Sequence, residues 1–381
     1  MARTAEVVII GGGVIGASIA YHLAARGHTD VLVLERDTLG SGSTSKNAGG
    51  IRLQFSTEIN VRLSQRSLPR FLAFREEMGT DPQFHQSGYL FLITADRDVD
   101  PFTRSLELWQ RLDVPARRLD ERGVRELFPE LVANDVLFAT FCALDGHADP
   151  TSILNGYVAR AREKGVEFRE HQAATAIDVE RGRVTAVRAG GERIGCDTVV
   201  DAAGPWSAEV ARLAGVDVPV RPLRRHIFIT EPVPGLDREF PLTIDFANGL
   251  YMHRESGGVL LGMADPSDSP GFVQTVNADF LPTVVERALA RLPILERTTI
   301  RTGWAGLYED TPDKHPIIGE VAEVSGFVCA TGFSGHGLMH APAAGEIVAE
   351  LVVGGRPALD VSSLRLERFR TGALVTEHNV V

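Results

Sequence analysis

Residues 6–36 read EVVIIGGGVIGASIAYHLAARGHTDVLVLER, and this stretch decides the fold. The run AEVVII at 5–10 has the apolar continuity of a parallel strand buried on both faces. It leads at once into Gly11-x-Gly13-x-x-Gly16, with Val14 and Ile15 between the second and third glycines. Ile19, Ala20, Leu23 and Ala24 then recur at helical spacing until Gly27 ends the helix. VLVL at 31–34 is a second buried strand, closed by Glu35, 19 residues after Gly16. Gly11 permits the turn, Gly13 lets backbone approach a pyrophosphate, and Gly16 lets helix and strand pack closely. The helix N-terminus offers free N–H groups and partial positive charge to a phosphate. Glu35 can accept both ribose hydroxyls. The stretch predicts a βαβ unit that binds a dinucleotide.

Outward from it, GSGSTSKNAGG at 40–50 is too polar to pack alone and reads as a loop held by something else. A long amphipathic helix is expected over 58–78 and another near 101–112. Asp149 caps a third helix, with Pro150 at its first position. TVVDAAGPW at 198–206 and GFVCATGFSGHGL at 326–338 repeat the pattern of a buried strand ending in small residues and glycine. AIDVERGRVTAVRA predicts a hairpin, and HIFITEP and GLYMHRESGGVLLGM alternate like antiparallel strands. The fold class is therefore α/β. A discontinuous dinucleotide-binding domain is expected over 1–80, 145–215 and 315–365. A second unit, 81–144 and 216–314, carries a mainly antiparallel sheet. Residues 366–381 read as a polar C-terminal tail.

The 381 residues suggest two domains at ~100–200 residues each. Net charge is −11, with no basic stripe, which argues against nucleic-acid binding. No stretch reaches the ~20 apolar residues of a membrane span, and MARTAEVVII opens a domain rather than a signal peptide. Cys142, Cys196 and Cys329 form no CxxC pair, which fits a reducing, cytoplasmic setting and no cysteine metal site. His147 and Asp149 suggest a metal to the eye, but their spacing fits a turn and a helix cap. No metal is expected.

Glycine-bearing turns recur at Ala203-Gly204 and Gly332–Gly337, far from the first. A long cofactor lying across the strand ends would touch all of them, which favours FAD over NAD. At this point the chain resembles the D-amino-acid oxidase superfamily of FAD-dependent oxidoreductases. The members it resembles are sarcosine oxidase, glycine oxidase and the β subunits of sarcosine oxidase and proline dehydrogenase. The matching blocks are VVIIGGGVIGASIAYHLAARG with VLVLERD, GSGSTSKNAGGIRLQF, TVVDAAGPWS, GWAGLYEDTPDKHPIIG and ATGFSGHGLMHAPAAGEIVAEL. The resemblance implies a glutathione-reductase-type FAD-binding Rossmann domain beneath a substrate domain.

It also implies roles for particular positions. Glu35 and Arg36 meet the adenosine ribose. Ser43, Thr44, Lys46, Gly49 and Gly50 line the pyrophosphate and flavin ring. Ala174 contacts the adenine, and Ala203, Gly204 and Trp206 pass the adenosine end. Gly332, Phe333, Gly335, His336, Gly337 and Leu338 follow the isoalloxazine edge. Relatives with a covalent flavin carry Cys where this chain has Gly306, or His where it has Lys46, so FAD is expected to be non-covalent. Arg52 is the expected carboxylate ligand, joined by Tyr251, with Lys46 polarising the ring. His340 and His253 are candidate site histidines. Arg224 and Arg225 are expected to be structural ion-pair residues.

The implied reaction is oxidation of a C–N bond in an amino acid or secondary amine. A hydride passes to flavin N5, and the resulting imine is hydrolysed. Rival readings are a 2-hydroxy acid oxidoreductase, a β-type subunit needing a partner chain, and a non-catalytic FAD-binding assembly factor. A homo-oligomer is compatible with any of them.

Overall fold

The computed structural model describes residues 3–381. Val7–Ile10 lies at the centre of a six-stranded sheet. Val31–Leu34 and Glu167–Arg169 follow on one side; Thr198–Asp201, Phe327–Thr331 and Ile317–Glu320 follow on the other. All pairs are parallel except Ile317–Glu320, which runs antiparallel at the edge. The four residues of each of the two N-terminal strands are buried, as their unbroken apolar runs require.

The helix Val14–Ala25 is apolar nearly all round and is buried nearly all round. It packs between the helices Gly337–Val352 and Pro150–Glu163. Ser18 donates to the Ala341 carbonyl at 2.8 Å, so its buried hydroxyl is satisfied. Asp149 caps Pro150–Glu163 by accepting from the Thr151 and Ser152 amides. The expected helix over 58–78 is in fact Glu58–Leu72, with Pro69 inside it, and then Phe74–Met78, the two being interrupted at Ala73. The half-exposed Arg66 and Arg70 on its flank pair with buried Glu346 on the facing helix at 2.7 and 2.6 Å.

The second sheet has eight strands and is antiparallel except where Leu242–Asp245 runs alongside Tyr89–Ile93. Arg221–Thr230 and Ile300–Asp310 are its longest pair, with Arg225 opposite Gly306 and Leu223 opposite Tyr308. The hairpin of Ala174–Glu180 and Arg183–Ala189 belongs to a separate four-stranded sheet with Glu192–Gly195 and Arg3–Thr4. No helix among the described residues is long and apolar enough to cross a membrane.

Residues 366–381 are not a free tail, which corrects the sequence reading. Glu377 is 2% exposed and Asn379 fully buried. The Glu377 carboxylate accepts from the Ser56 and Thr57 amides at 2.7 and 3.1 Å, and from the hydroxyls of both. It thus ties down, from a distant segment, the two residues that lead into the helix Glu58–Leu72, where negative charge suits the helix N-terminus. Polar composition suggested solvent, but the polar atoms are consumed by a helix end.

Asp149→Ala should cost about 1 kcal/mol by removing two capping bonds. Chemical denaturation of the variant checks this; an unchanged midpoint would show that the cap contributes nothing.

Candidate active site

A cavity of about 690 Å³ lies between the parallel sheet and the eight-stranded sheet. That is within the ~300–1,000 Å³ of sites for small molecules and cofactors. Its floor begins at the first turn. Gly11 has φ +116°, and a β-carbon there would stand 2.3 Å from the Ala202 carbonyl oxygen. Only glycine allows the two strand-end turns to touch this closely. Gly16 does not line the cavity; a β-carbon on it would collide with the Gly11 carbonyl at 2.0 Å, so it is a packing glycine.

The helix Val14–Ala25 opens onto this floor. Thr44 Oγ1 accepts from the Val14 amide at 3.0 Å. Among the described residues, the Gly13 and Ile15 amides find no backbone or side-chain acceptor, and both residues line the cavity. These are donors left over for an anion. Glu35 also lines the wall. Its two oxygens accept from Gly12 N at 2.9 Å and Asp37 N at 2.8 Å, which orients the carboxylate while leaving lone pairs for hydroxyl groups. At the far end the 16-residue helix Gly337–Val352 begins, and Gly337, Leu338 and Met339 line the cavity. Two helix N-termini therefore face one cavity, both positive. Turn glycines, oriented carboxylate and unpaired amides fit an extended dinucleotide.

The lining takes in most of the expected cofactor residues: Gly11, Gly13, Val14, Ile15, Glu35, Arg36, Ser43, Thr44, Lys46, Gly50, Ala174, Ala203, Gly204, Trp206, Gly335, Gly337 and Leu338. Gly49, Gly332, Phe333 and His336 lie behind it. The His336 imidazole packs edge-on to Phe55 at 4.8 Å and sits 3.3 Å from Arg52. Its expected cofactor contact is thus not made by the ring. Lys46 faces the cavity and hydrogen-bonds Gln274; burial lowers its pKa.

The roof is the inner face of the eight-stranded sheet. Ile227, Leu242, Ile244, Tyr89, Tyr251 and Tyr308 supply it. Room for the Tyr251 ring comes from Gly262 across the strand pair, where a β-carbon would fall 1.9 Å from the ring. Burial raises the Tyr251 pKa well above the usual phenol value, so it stays a neutral donor.

Arg52 is a correction. It does not line the cavity and is 5% exposed. Its guanidinium lies 3.9 Å over the Phe55 ring and donates to the carbonyls of Gln54 and Asn379. The docked C-terminal segment has claimed it. His340 is also withdrawn from the site: it is fully buried, touches Ser64 Oγ at 3.0 Å, and packs on Phe55. Burial and the nearby Arg52 charge lower its pKa to about 3, so it is neutral. His253 stacks on His147 at 4.1 Å and reaches the Ala48 carbonyl, again off the lining. Arg224 pairs with Asp268 as expected, but Arg225 does not pair and lines the cavity. The alternation of its strand signals this, because the odd positions Arg225 and Ile227 share the cavity face. Glu309 was also missed; it lines the wall and accepts from Thr331 Oγ1 and the Gly332 amide, both at 3.0 Å. His226, Asp265 and Asp268 bring ligand atoms within 4.8 Å of one another, but Arg224 already occupies Asp268.

A family model described as "FAD dependent oxidoreductase" matches residues 6–351. The FAD-dependent oxidoreductase domain-containing protein 1 of Xenopus laevis is 33% identical over 99% of this chain and 85% of its own length. The mitochondrial dimethylglycine dehydrogenase of Mus musculus is 29% identical over 96% of this chain, which spans only 44% of that protein. The crystal structure of L-proline dehydrogenase from P. horikoshii superposes with a TM-score of 0.92 at 34% identity, covering 98% of this chain and all of that one.

Burial pushes the Glu309 carboxyl up to about 7, against the bonds from Gly332 and Thr331. The folded state then holds a proton that the unfolded state releases near 4.5, so stability falls as pH rises from about 4.5 to 7. Glu309→Gln should therefore stabilise the cofactor-free protein at pH 8 by roughly 2 kcal/mol, and much less at pH 5. Thermal unfolding at both values checks it; a pH-independent difference would contradict this account.

Proposed function

The chain belongs to the family of FAD-dependent oxidoreductases, and from that premise we propose that it oxidises a C–N bond in an amino acid or secondary amine. The observation that carries the proposal is the cavity itself. Its floor offers two helix N-termini and an oriented carboxylate, and its roof is an apolar, tyrosine-rich sheet face. Two relatives, named as dehydrogenases of dimethylglycine and of L-proline, support the reading, since both names point to amino acids with alkylated nitrogen.

FAD supplies the electron sink that takes the substrate hydride. The amides of Gly13 and Ile15 would hold its pyrophosphate, and Glu35 its ribose. The N-terminal turn at Gly337–Met339 lines the cavity, and its dipole would favour negative charge on the reduced flavin ring. The roof's Ile227, Leu242 and Ile244 exclude water and hold the substrate close. No general base is required: the amine would bind neutral and lose its α-hydrogen as hydride, and water would hydrolyse the iminium ion that remains. Gly306 and Lys46 stand on the lining where covalently linked relatives carry Cys or His, which supports non-covalent FAD.

Anaerobic addition of N-methylglycine, N,N-dimethylglycine, L-proline, glycine and lactate tests the reading. An N-alkylated amino acid should bleach the visible flavin band, and the product should be an aldehyde or an imine. Bleaching by lactate alone would move the reaction to a C–O bond. A flavin that none of them bleaches would overturn catalysis by this chain alone and favour a required partner or a non-catalytic role. The rate of re-oxidation in air then distinguishes an oxidase from a dehydrogenase.

A further inference from the structure

An amino-acid substrate brings a carboxylate into an apolar pocket, and desolvating it is costly unless a cation receives it. Three cations line the cavity among the described residues: Arg36, Lys46 and Arg225. Arg36 is at the adenosine end, 3.9 Å over the Trp206 ring and paired with Asp37. Lys46 lies on the first-loop side and is held by Gln274. Arg225 is on the roof, among the tyrosines.

Arg225 differs from most of the buried or half-buried arginines of the fold; Arg52 and Arg254 also lack a carboxylate partner among the described residues, but neither lines the cavity. Arg66, Arg224, Arg291 and Arg368 each have a carboxylate partner. Arg225 has none among the described residues. Its one hydrogen bond runs to the Arg224 carbonyl at 3.0 Å, and its Nε is buried without an acceptor. The guanidinium carbon lies 4.4 Å over the Tyr308 ring, a contact that favours the cation but does not neutralise it. Strand alternation explains the contrast with its neighbour. Arg224 points to the opposite face, where Asp268 meets it, and Arg225 points into the cavity beside Ile227. Opposite Arg225 is Gly306, which adds no side chain between the fork and the cavity.

We propose that Arg225 is the substrate's carboxylate anchor, taking the role expected of Arg52, and that the enzyme selects amines bearing a carboxylate. The planar fork matches a carboxylate bidentately. Tyr251, a neutral phenol on the same lining, can donate a further bond to it. The anchor rests on the amino-acid reading, yet it can be measured without turnover.

The test titrates the FAD-loaded enzyme with methoxyacetate, a carboxylate with no amine to oxidise, and follows the flavin spectrum. Wild type should show a saturable change. Arg225→Met should bind it roughly 30-fold or more weakly, and Arg225→Lys should lie between, keeping charge without the fork. With an N-methyl amino acid, Arg225→Met should raise the dissociation constant for flavin reduction by a similar factor. A carboxylate-free secondary amine such as N-methylbutylamine should be bound by Arg225→Met at least as well as by wild type. Unchanged carboxylate affinity in both variants, or no response in wild type, would overturn the anchor while leaving amine oxidation standing. Loss of carboxylate binding in variants of a wild type that no amine reduces would leave the anchor and overturn the C–N reading. If Arg225→Met does not fold, Arg225→Lys alone decides: wild-type affinity overturns the anchor.

Discussion

The contact on which the site depends is backbone against backbone: the Gly11 turn pressed onto the Ala202 carbonyl. Two adjacent parallel strands, Val7–Ile10 and Thr198–Asp201, end there at the same level. The helix Val14–Ala25 starts immediately beyond, so its free amides come out at the mouth of the sheet. Any side chain at Gly11 would separate the two strand ends and turn that helix away. The core below enforces the arrangement. The first helix is enclosed by two others and cannot rotate without exposing apolar surface.

Above this floor the chemistry is set by what burial does to charge. The roof is apolar and aromatic, which keeps water from that face of the cavity and would suit the hydride transfer proposed for it. Charges placed near it are expensive. Glu309 and Asp201, both at the strand ends, have carboxyls raised to about 7 by burial. The imidazoles of His336 and His340 are held neutral. Against that background an arginine without a carboxylate partner is out of keeping, and a ligand carboxylate would restore balance. The same physics accounts for Arg52, whose charge is dispersed over two carbonyls and the Phe55 face.

The C-terminal segment joins the two levels. Glu377 holds the start of the helix Glu58–Leu72, Asn379 accepts from Arg52, and Val381 reaches the cavity lining. Its polar letters look like solvent-exposed chain, because nothing local says that a helix end 320 residues earlier needs an acceptor.

Much of the floor was legible in the sequence because it is local. Strand, glycine turn, helix and Glu35 follow one another within about 30 residues, and their spacing alone dictates the turn and the helix polarity. The later glycine turns were legible for the same reason. The roof was not. Whether Arg52 or Arg225 reaches the cavity depends on which face of a strand meets the other sheet and on where the distant residues 377–379 settle. Both are decided by packing between segments hundreds of residues apart, and no short window of sequence carries that information. The sequence alone determined what kind of cofactor the chain is built around; only the tertiary structure decided which charge faces the cavity.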